Sequence, residues 1–165
     1  MSNGTPRPEL LKSLVGFSVG DVVYAVPIGA VREIINPISL TALPHAPAVV
    51  AGVADHRGEV VPVVDLRLRF GVASGVEARR TKWILVEVGG RRIGLIVDRV
   101  TGVFGTHGKP LRPAPTLGGG EDERGIIGVT SHEGSMAFVL DVSRLEALTA
   151  GLSEPLQALP AGDHL

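Results

Sequence analysis

The chain repeats itself, and that repetition limits it to a small set of folds. Val15-Gly16-Phe17-Ser18-Val19-Gly20 aligns with Ile84-Leu85-Val86-Glu87-Val88-Gly89 at a spacing of 69 residues. At the same spacing Tyr24-Ala25-Val26 lies over Ile93-Gly94-Leu95, and Ala30-Val31-Arg32-Glu33-Ile34 lies over Arg99-Val100-Thr101-Gly102-Val103. Pro44-His45-Ala46-Pro47 roughly covers Pro113-Ala114-Pro115. The spacing then becomes 76: Gly52-Val53 matches Gly128-Val129, His56 matches His132, Gly58 matches Gly134, Val63 matches Val139 and Asp65 matches Asp141. The matches keep their order, and one insertion of seven residues between Pro115 and Gly128 explains the step. That interval holds Gly118-Gly119-Gly120-Glu121-Asp122-Glu123, a polar, glycine-rich stretch suited to an exposed loop.

Each repeat reads as strands. Leu14 to Val19 and Val22 to Val26 flank Gly20-Asp21, a hairpin turn signal, and Ile84 to Val88 and Arg91 to Val97 flank Gly89-Gly90 in the same way. Val53 to Asp55 and Glu59 to Val64 flank His56-Arg57-Gly58, while Val129-Thr130 and Met136 to Leu140 flank His132-Glu133-Gly134. With about five short strands in each repeat, the chain is predicted to be all-β. Two small pseudo-symmetric barrels would pack side by side, because each alone has a thin core. Lobe one covers about 15–70 and lobe two about 84–145, with a crossover at 71–81 and the whole domain at 14–148. The segments 1–13 and 149–165 are predicted to be flexible tails. Ser143 to Leu148 should close the domain as a short helix, with Ser143 as N-cap and Glu146 completing a capping box, or with Asp141 as the alternative cap.

The residues argue against most chemistries. There is no Cys, which removes disulfides and thiolate metal sites and suits a reducing cytosol. The N-terminus lacks the apolar stretch of a secretory signal, and the longest apolar run, around Pro47 to Ala54, falls far short of the roughly 20 residues that cross a bilayer. Sixteen basic and 17 acidic residues give a net charge of −1, and six aromatics are too few for a base-stacking platform, so no nucleic-acid partner is expected. The five histidines have no metal-ligand spacing, and a histidine in a turn is read as solvated. No Gly-x-Ser-x-Gly occurs, and Gly108-Lys109 is followed by Pro110 where a phosphate loop needs Ser or Thr. Asp65 and Asp141 each follow an apolar strand and read as caps rather than as a catalytic pair. No catalytic activity, cofactor or metal is expected.

The stretch Gly52-Val-Ala-Asp55-His56-Arg57-Gly58-Glu-Val-Val-Pro-Val-Val-Asp65-Leu66 resembles the central signature of CheW-like domains, Gly-x-x-Asn-x-Arg-Gly before an apolar strand ending Pro-[Ile/Val]-[Ile/Val]-Asp-Leu. Tyr24 to Ile34 resembles the family's first hairpin with its Val-x-Glu-Ile turn. Ile93 to Val100 resembles its Gly-[Ile/Leu]-x-Val-Asp-x-Val, and Lys109 to Pro115 and Gly128 to Leu148 match later segments. The chain departs from the pattern at Asp55, where Asn is usual, and at His56, where an apolar residue is usual.

The resemblance implies two SH3-like barrels and a non-catalytic adaptor of bacterial chemotaxis, cytoplasmic at membrane-associated receptor arrays and not inserted in the membrane. It would couple the cytoplasmic tip of chemoreceptors to the regulatory domain of the histidine kinase CheA, with other CheW-like domains as further partners. By the same resemblance Val31, Glu33, Ile34, Arg57, Gly58 and Val97 face the receptor. Glu33 and Arg57 would pair between two turns, beside a groove between the lobes. Ile38, Leu40 and Leu43, confined between Pro37 and Pro44, would face the kinase. The alternatives are a paralogue serving gliding or pilus control, and a small ligand-binding barrel.

Overall fold

In both repeats the last hairpin is closed by two residues with left-handed backbone. Arg57 and Gly58 (φ 55° and 83°) turn one strand pair, and their repeat equivalents Glu133 and Gly134 (φ 52° and 79°) turn another. Two successive left-handed residues make the tight turn whose twist matches that of antiparallel strands. The computed structural model describes residues 13–72, 80–114 and 125–150. In chain order these form β1 (Ser13–Val19), β2 (Val22–Pro27), a single 3-10 turn (Ile28–Ala30), β3 (Val31–Ile35), β4 (Val50–His56), β5 (Glu59–Asp65) and α1 (Leu66–Arg69). The second repeat follows as β6 (Lys82–Val88), β7 (Arg91–Val97), β8 (Arg99–Gly105), β9 (Ile126–His132), β10 (Ser135–Leu140) and α2 (Val142–Ala147). Most of the crossover 71–81, the Gly118 to Glu123 stretch and nearly all of both tails lie outside the described residues.

The fold is all-β, with two five-stranded sheets ordered β8-β1-β2-β10-β9 (sheet I) and β3-β6-β7-β5-β4 (sheet II). This corrects the expected lobes at 15–70 and 84–145: each sheet combines the first hairpin of one repeat with the last three strands of the other. The reason is geometric. Only Asp98 separates β7 from β8, too little chain for a hairpin, which needs at least two turn residues. The chain therefore runs straight on into the other sheet, and β2 does the same through Ile28–Ala30. The pseudo-symmetry survives. β5 lies parallel to β7 with Val63 opposite Gly94, and β10 lies parallel to β2 with Val139 opposite Ala25. Two bridges also correct the position of the insertion. Thr41 pairs with Val53 and Arg112 with Val129, so part of the extra length enters before Arg112.

Among the described residues, three apolar clusters hold this arrangement. Leu14, Ala25, Phe104, Ala137 and Val139 fill sheet I, and Ala54, Val63 and Trp83 fill sheet II. The largest cluster lies between the sheets and includes Val15, Phe17, Tyr24, Leu66, Ile84, Leu95, Leu140 and Leu145. β1 and β6 thus have apolar neighbours on both faces. That is why they read as nearly continuous apolar runs rather than as alternating strands.

Both helices begin at an aspartate. The Asp65 carboxylate accepts from the Arg67 N–H at 2.9 Å and the Asp141 carboxylate from the Ser143 N–H at 3.0 Å. Asp141, not Ser143, is therefore the cap of α2. Packing continues past the expected start of the C-terminal tail: Thr149 is buried and its hydroxyl donates to the Glu146 carbonyl. Asp65→Ala and Asp141→Ala should each lower the unfolding free energy by about 1 kcal/mol in chemical denaturation, the scale of a lost N-cap. Among the described residues, no helix is long and apolar enough to cross a membrane.

Candidate protein-interaction site

β3 and β4 are the two edges of sheet II, and side chains at the end of β4 and in the turn after it reach β3. Side chains rather than backbone hydrogen bonds join them. Arg57 Nη2 donates to Glu33 Oε2 at 3.0 Å, and His56 Nε2 stands 3.6 Å from Glu33 Oε1. The expected Glu33–Arg57 pair is therefore present, but Glu33 lies on edge strand β3 and not in a turn. β3 carries a bulge between Val31 and Glu33, where two of its residues face one step of β6. The Arg57 side chain is 75% exposed and that of Glu33 31%, so the pair sits at the surface. Arg32 pairs with Glu87 at 3.1 Å, and Arg92 lies 3.5 Å from Glu59 and 3.6 Å from Glu87. Arg32, Arg57 and Arg92 thus pair with Glu33, Glu59 and Glu87 on this part of sheet II.

The same seam in sheet I is joined by a ring contact instead, with His132 Nε2 also 3.8 Å from Glu133 Oε2. There Phe104 on β8 stacks on His132 at the end of β9, with ring centroids 4.0 Å apart. His56 and His132 occupy equivalent positions, each bridging the edges of its own sheet. His56 is 9% exposed, which corrects its reading as a solvated turn histidine. Strand alternation could have found it: His56 shares the inward face of β4 with Ala54.

The other predicted receptor-facing residues divide. Ile34 is exposed on β3, and Gly58 is exposed with open space where a Cβ would stand. Its positive φ nevertheless strains any L side chain, so a bulky replacement of Gly58 would disturb the turn itself as well as any partner. Val31 is partly buried against the cluster between the sheets. Val97 is fully buried in that cluster and cannot touch a partner, which corrects its assignment. Its sequence pattern is that of a core position on a strand covered on both faces.

The residues predicted to face the kinase lie on the strap between β3 and β4. Thr41 and Val53 exchange both backbone hydrogen bonds, at 2.8 and 2.9 Å, and pin the strap along β4. Ile38 and Leu40 are exposed, at 37% and 38%, and Leu43 is half-buried. Asp55, at the family's usual Asn position, accepts from the Gly58 N–H at 2.9 Å and closes the turn locally.

Comparison with known proteins agrees with this geometry. Residues 13–148 match a family model described as a CheW-like domain. The chain is 34% identical over 131 residues to the chemotaxis protein CheW of Rhizobium meliloti (strain 1021), across 79% of this chain and 84% of that one. It is 36% identical over 144 residues to protein FrzA of Myxococcus xanthus, across 84% and 86%. The crystal structure of the scaffolding protein TtCheW from Thermoanaerobacter tengcongensis superposes with a TM-score of 0.70 at 28% identity, covering 78% of this chain and 88% of the other. With the family model spanning both interlocked sheets and relatives matched over most of their length, the chain belongs to the CheW-like family.

Proposed function

We propose that this protein is a non-catalytic adaptor that couples the cytoplasmic tip of chemoreceptors to the regulatory domain of the histidine kinase CheA. The observation that carries the reading is the pair of distinct exposed features on one family fold: the charged seam of Glu33 and Arg57, and the pinned strap with Ile38 and Leu40 outward. Large apolar side chains held outward on a hydrogen-bonded strap suit contact with another protein. The carboxylates that could have suggested catalysis are engaged as helix caps at Asp65 and Asp141. The seam, with Ile34 beside it, is assigned to the receptor and the strap to the kinase, in a cytoplasmic protein at membrane-associated receptor arrays.

Two substitutions separate the surfaces. Arg57→Ala removes one partner of an exposed pair, so stability should fall by only ~0.2–1 kcal/mol. A charge that becomes buried and hydrogen-bonded on binding costs ~2–5 kcal/mol when truncated, so the affinity for a receptor-tip fragment should fall at least ~10-fold. Leu40→Asp should abolish capture of the kinase regulatory domain and leave receptor binding intact. Wild-type binding to both partners in both folded variants would remove these surfaces from the proposed function.

A second reading keeps the adaptor role in a paralogue serving a non-flagellar chemosensory system. It is favoured by the 36% identity to protein FrzA, a relative not named for chemotaxis. The pathway encoded beside the gene distinguishes the two.

A further inference from the structure

His56 is a buried imidazole with neither ring nitrogen in a hydrogen bond. Its Nδ1 has no partner, and its Nε2 is 3.6 Å from Glu33 Oε1, beyond hydrogen-bond length. Buried polar groups are almost always bonded, so such a ring asks for an explanation. The groups around it supply one. Glu33 faces it from β3, Arg57 follows it in the turn and takes the other oxygen of Glu33 at 3.0 Å, and Glu59 sits opposite it on β5, itself 3.5 Å from Arg92 of β7. Asp55, the neighbour before it, is exposed and accepts from the Gly58 N–H. One carboxylate, Glu33, is therefore shared between a permanent cation and an imidazole that can take up a proton.

We infer that His56 positions the Glu33 carboxylate, and that protonation of His56 draws Glu33 inward and releases Arg57 to bind a partner. A protonated imidazole donates from Nε2 and gains from closing the gap to Oε1, because a charge-assisted bond is stronger than a neutral one. Each oxygen that turns toward His56 weakens the hold on Arg57, whose side chain is already largely in solvent. The device belongs to the first repeat: the family pattern has an apolar residue at position 56, and the equivalent His132 stacks on Phe104 and faces its own neighbour Glu133 at 3.8 Å, with Gly102 at the position corresponding to Glu33.

The effect on receptor binding rests on the adaptor reading, so the test has two arms. In the free protein, the Arg57 guanidinium 15N resonances should change between pH 8 and pH 6 in the wild type. They should stay fixed in His56→Gln, which keeps an N–H near Glu33 but does not titrate. Should His56→Gln fail to fold, Glu33→Gln removes the shared negative charge and must abolish the same response. An Arg57 signal that ignores pH in the wild type, or follows it equally in a folded variant, overturns the inference. In the second arm, calorimetry with a receptor-tip fragment should show binding tighter at pH 6 than at pH 8 by about three- to fivefold, the scale of one solvent-screened charge contact. That difference should vanish in His56→Gln. A fragment that binds the wild type at neither pH would overturn the adaptor reading and leave the resonance arm to decide the role of His56.

Discussion

Asp98→Ala is expected to lower the unfolding free energy by about 3–5 kcal/mol, the largest effect anticipated for any single side chain here. Asp98 is the sole residue between β7 and β8, at the point where the chain leaves sheet II for sheet I, and it is 2% exposed. Its carboxylate accepts from the Gly20 N–H at 2.7 Å, in the first hairpin turn of sheet I, and from Arg67 Nε on α1, which follows the last strand of that repeat in sheet II. Its own N–H donates to the Ser18 carbonyl at 3.0 Å. One residue thus ties both sheets and a helix at the crossing. Truncation would leave the largely buried Arg67 guanidinium without its counter-charge and the Gly20 N–H without an acceptor. Breaking one side of a buried pair is costly because the other charge stays desolvated. Double-mutant analysis with Arg67→Met tests this directly: the double variant should be more stable than Asp98→Ala alone. Equal loss in both would mean that the cost lies in packing rather than in the orphaned charge. The repeat equivalents of Asp98 and Arg67 are Gly29 and Ser143, so the clamp breaks the pseudo-symmetry.

Gly52→Ala should destabilise the protein by at least about 2 kcal/mol and, under the proposed function, weaken kinase-domain binding far more than receptor-tip binding. Gly52 has φ +149°, and a Cβ there would stand 2.4 Å from the Thr41 carbonyl oxygen. That oxygen accepts from the Val53 N–H, so the contact cannot be relieved without detaching the strap. Ile38 and Leu40 would lose their fixed placement while the cluster between the sheets stays intact. Pulldowns of both partners, read beside a denaturation curve, check it; unchanged kinase capture by the folded variant would dissociate the strap from that surface. Gly128, its repeat equivalent, is crowded in the same way, with the Arg112 carbonyl 3.0 Å and Leu111 Cβ 2.8 Å from the added atom. Both repeats therefore need glycine where a passing segment pairs with the fourth strand.

Local features were legible in the sequence because local chemistry determines them. Hairpin turns at Gly20, Arg57-Gly58, Gly89-Gly90 and Glu133-Gly134 follow from which residues tolerate left-handed backbone. Asp65 and Asp141 act as caps because a short carboxylate reaches the N–H two residues on. The duplication and the all-β class were readable from spacing, and the Glu33–Arg57 pair from the family's motifs. Tertiary structure alone decided which strands share a sheet, because a repeat looks the same whether its hairpin joins its own later strands or those of its twin. It also decided that Val97 is core and His56 buried. A strand's alternation separates its two faces, but cannot say whether the outer face meets solvent or a second sheet.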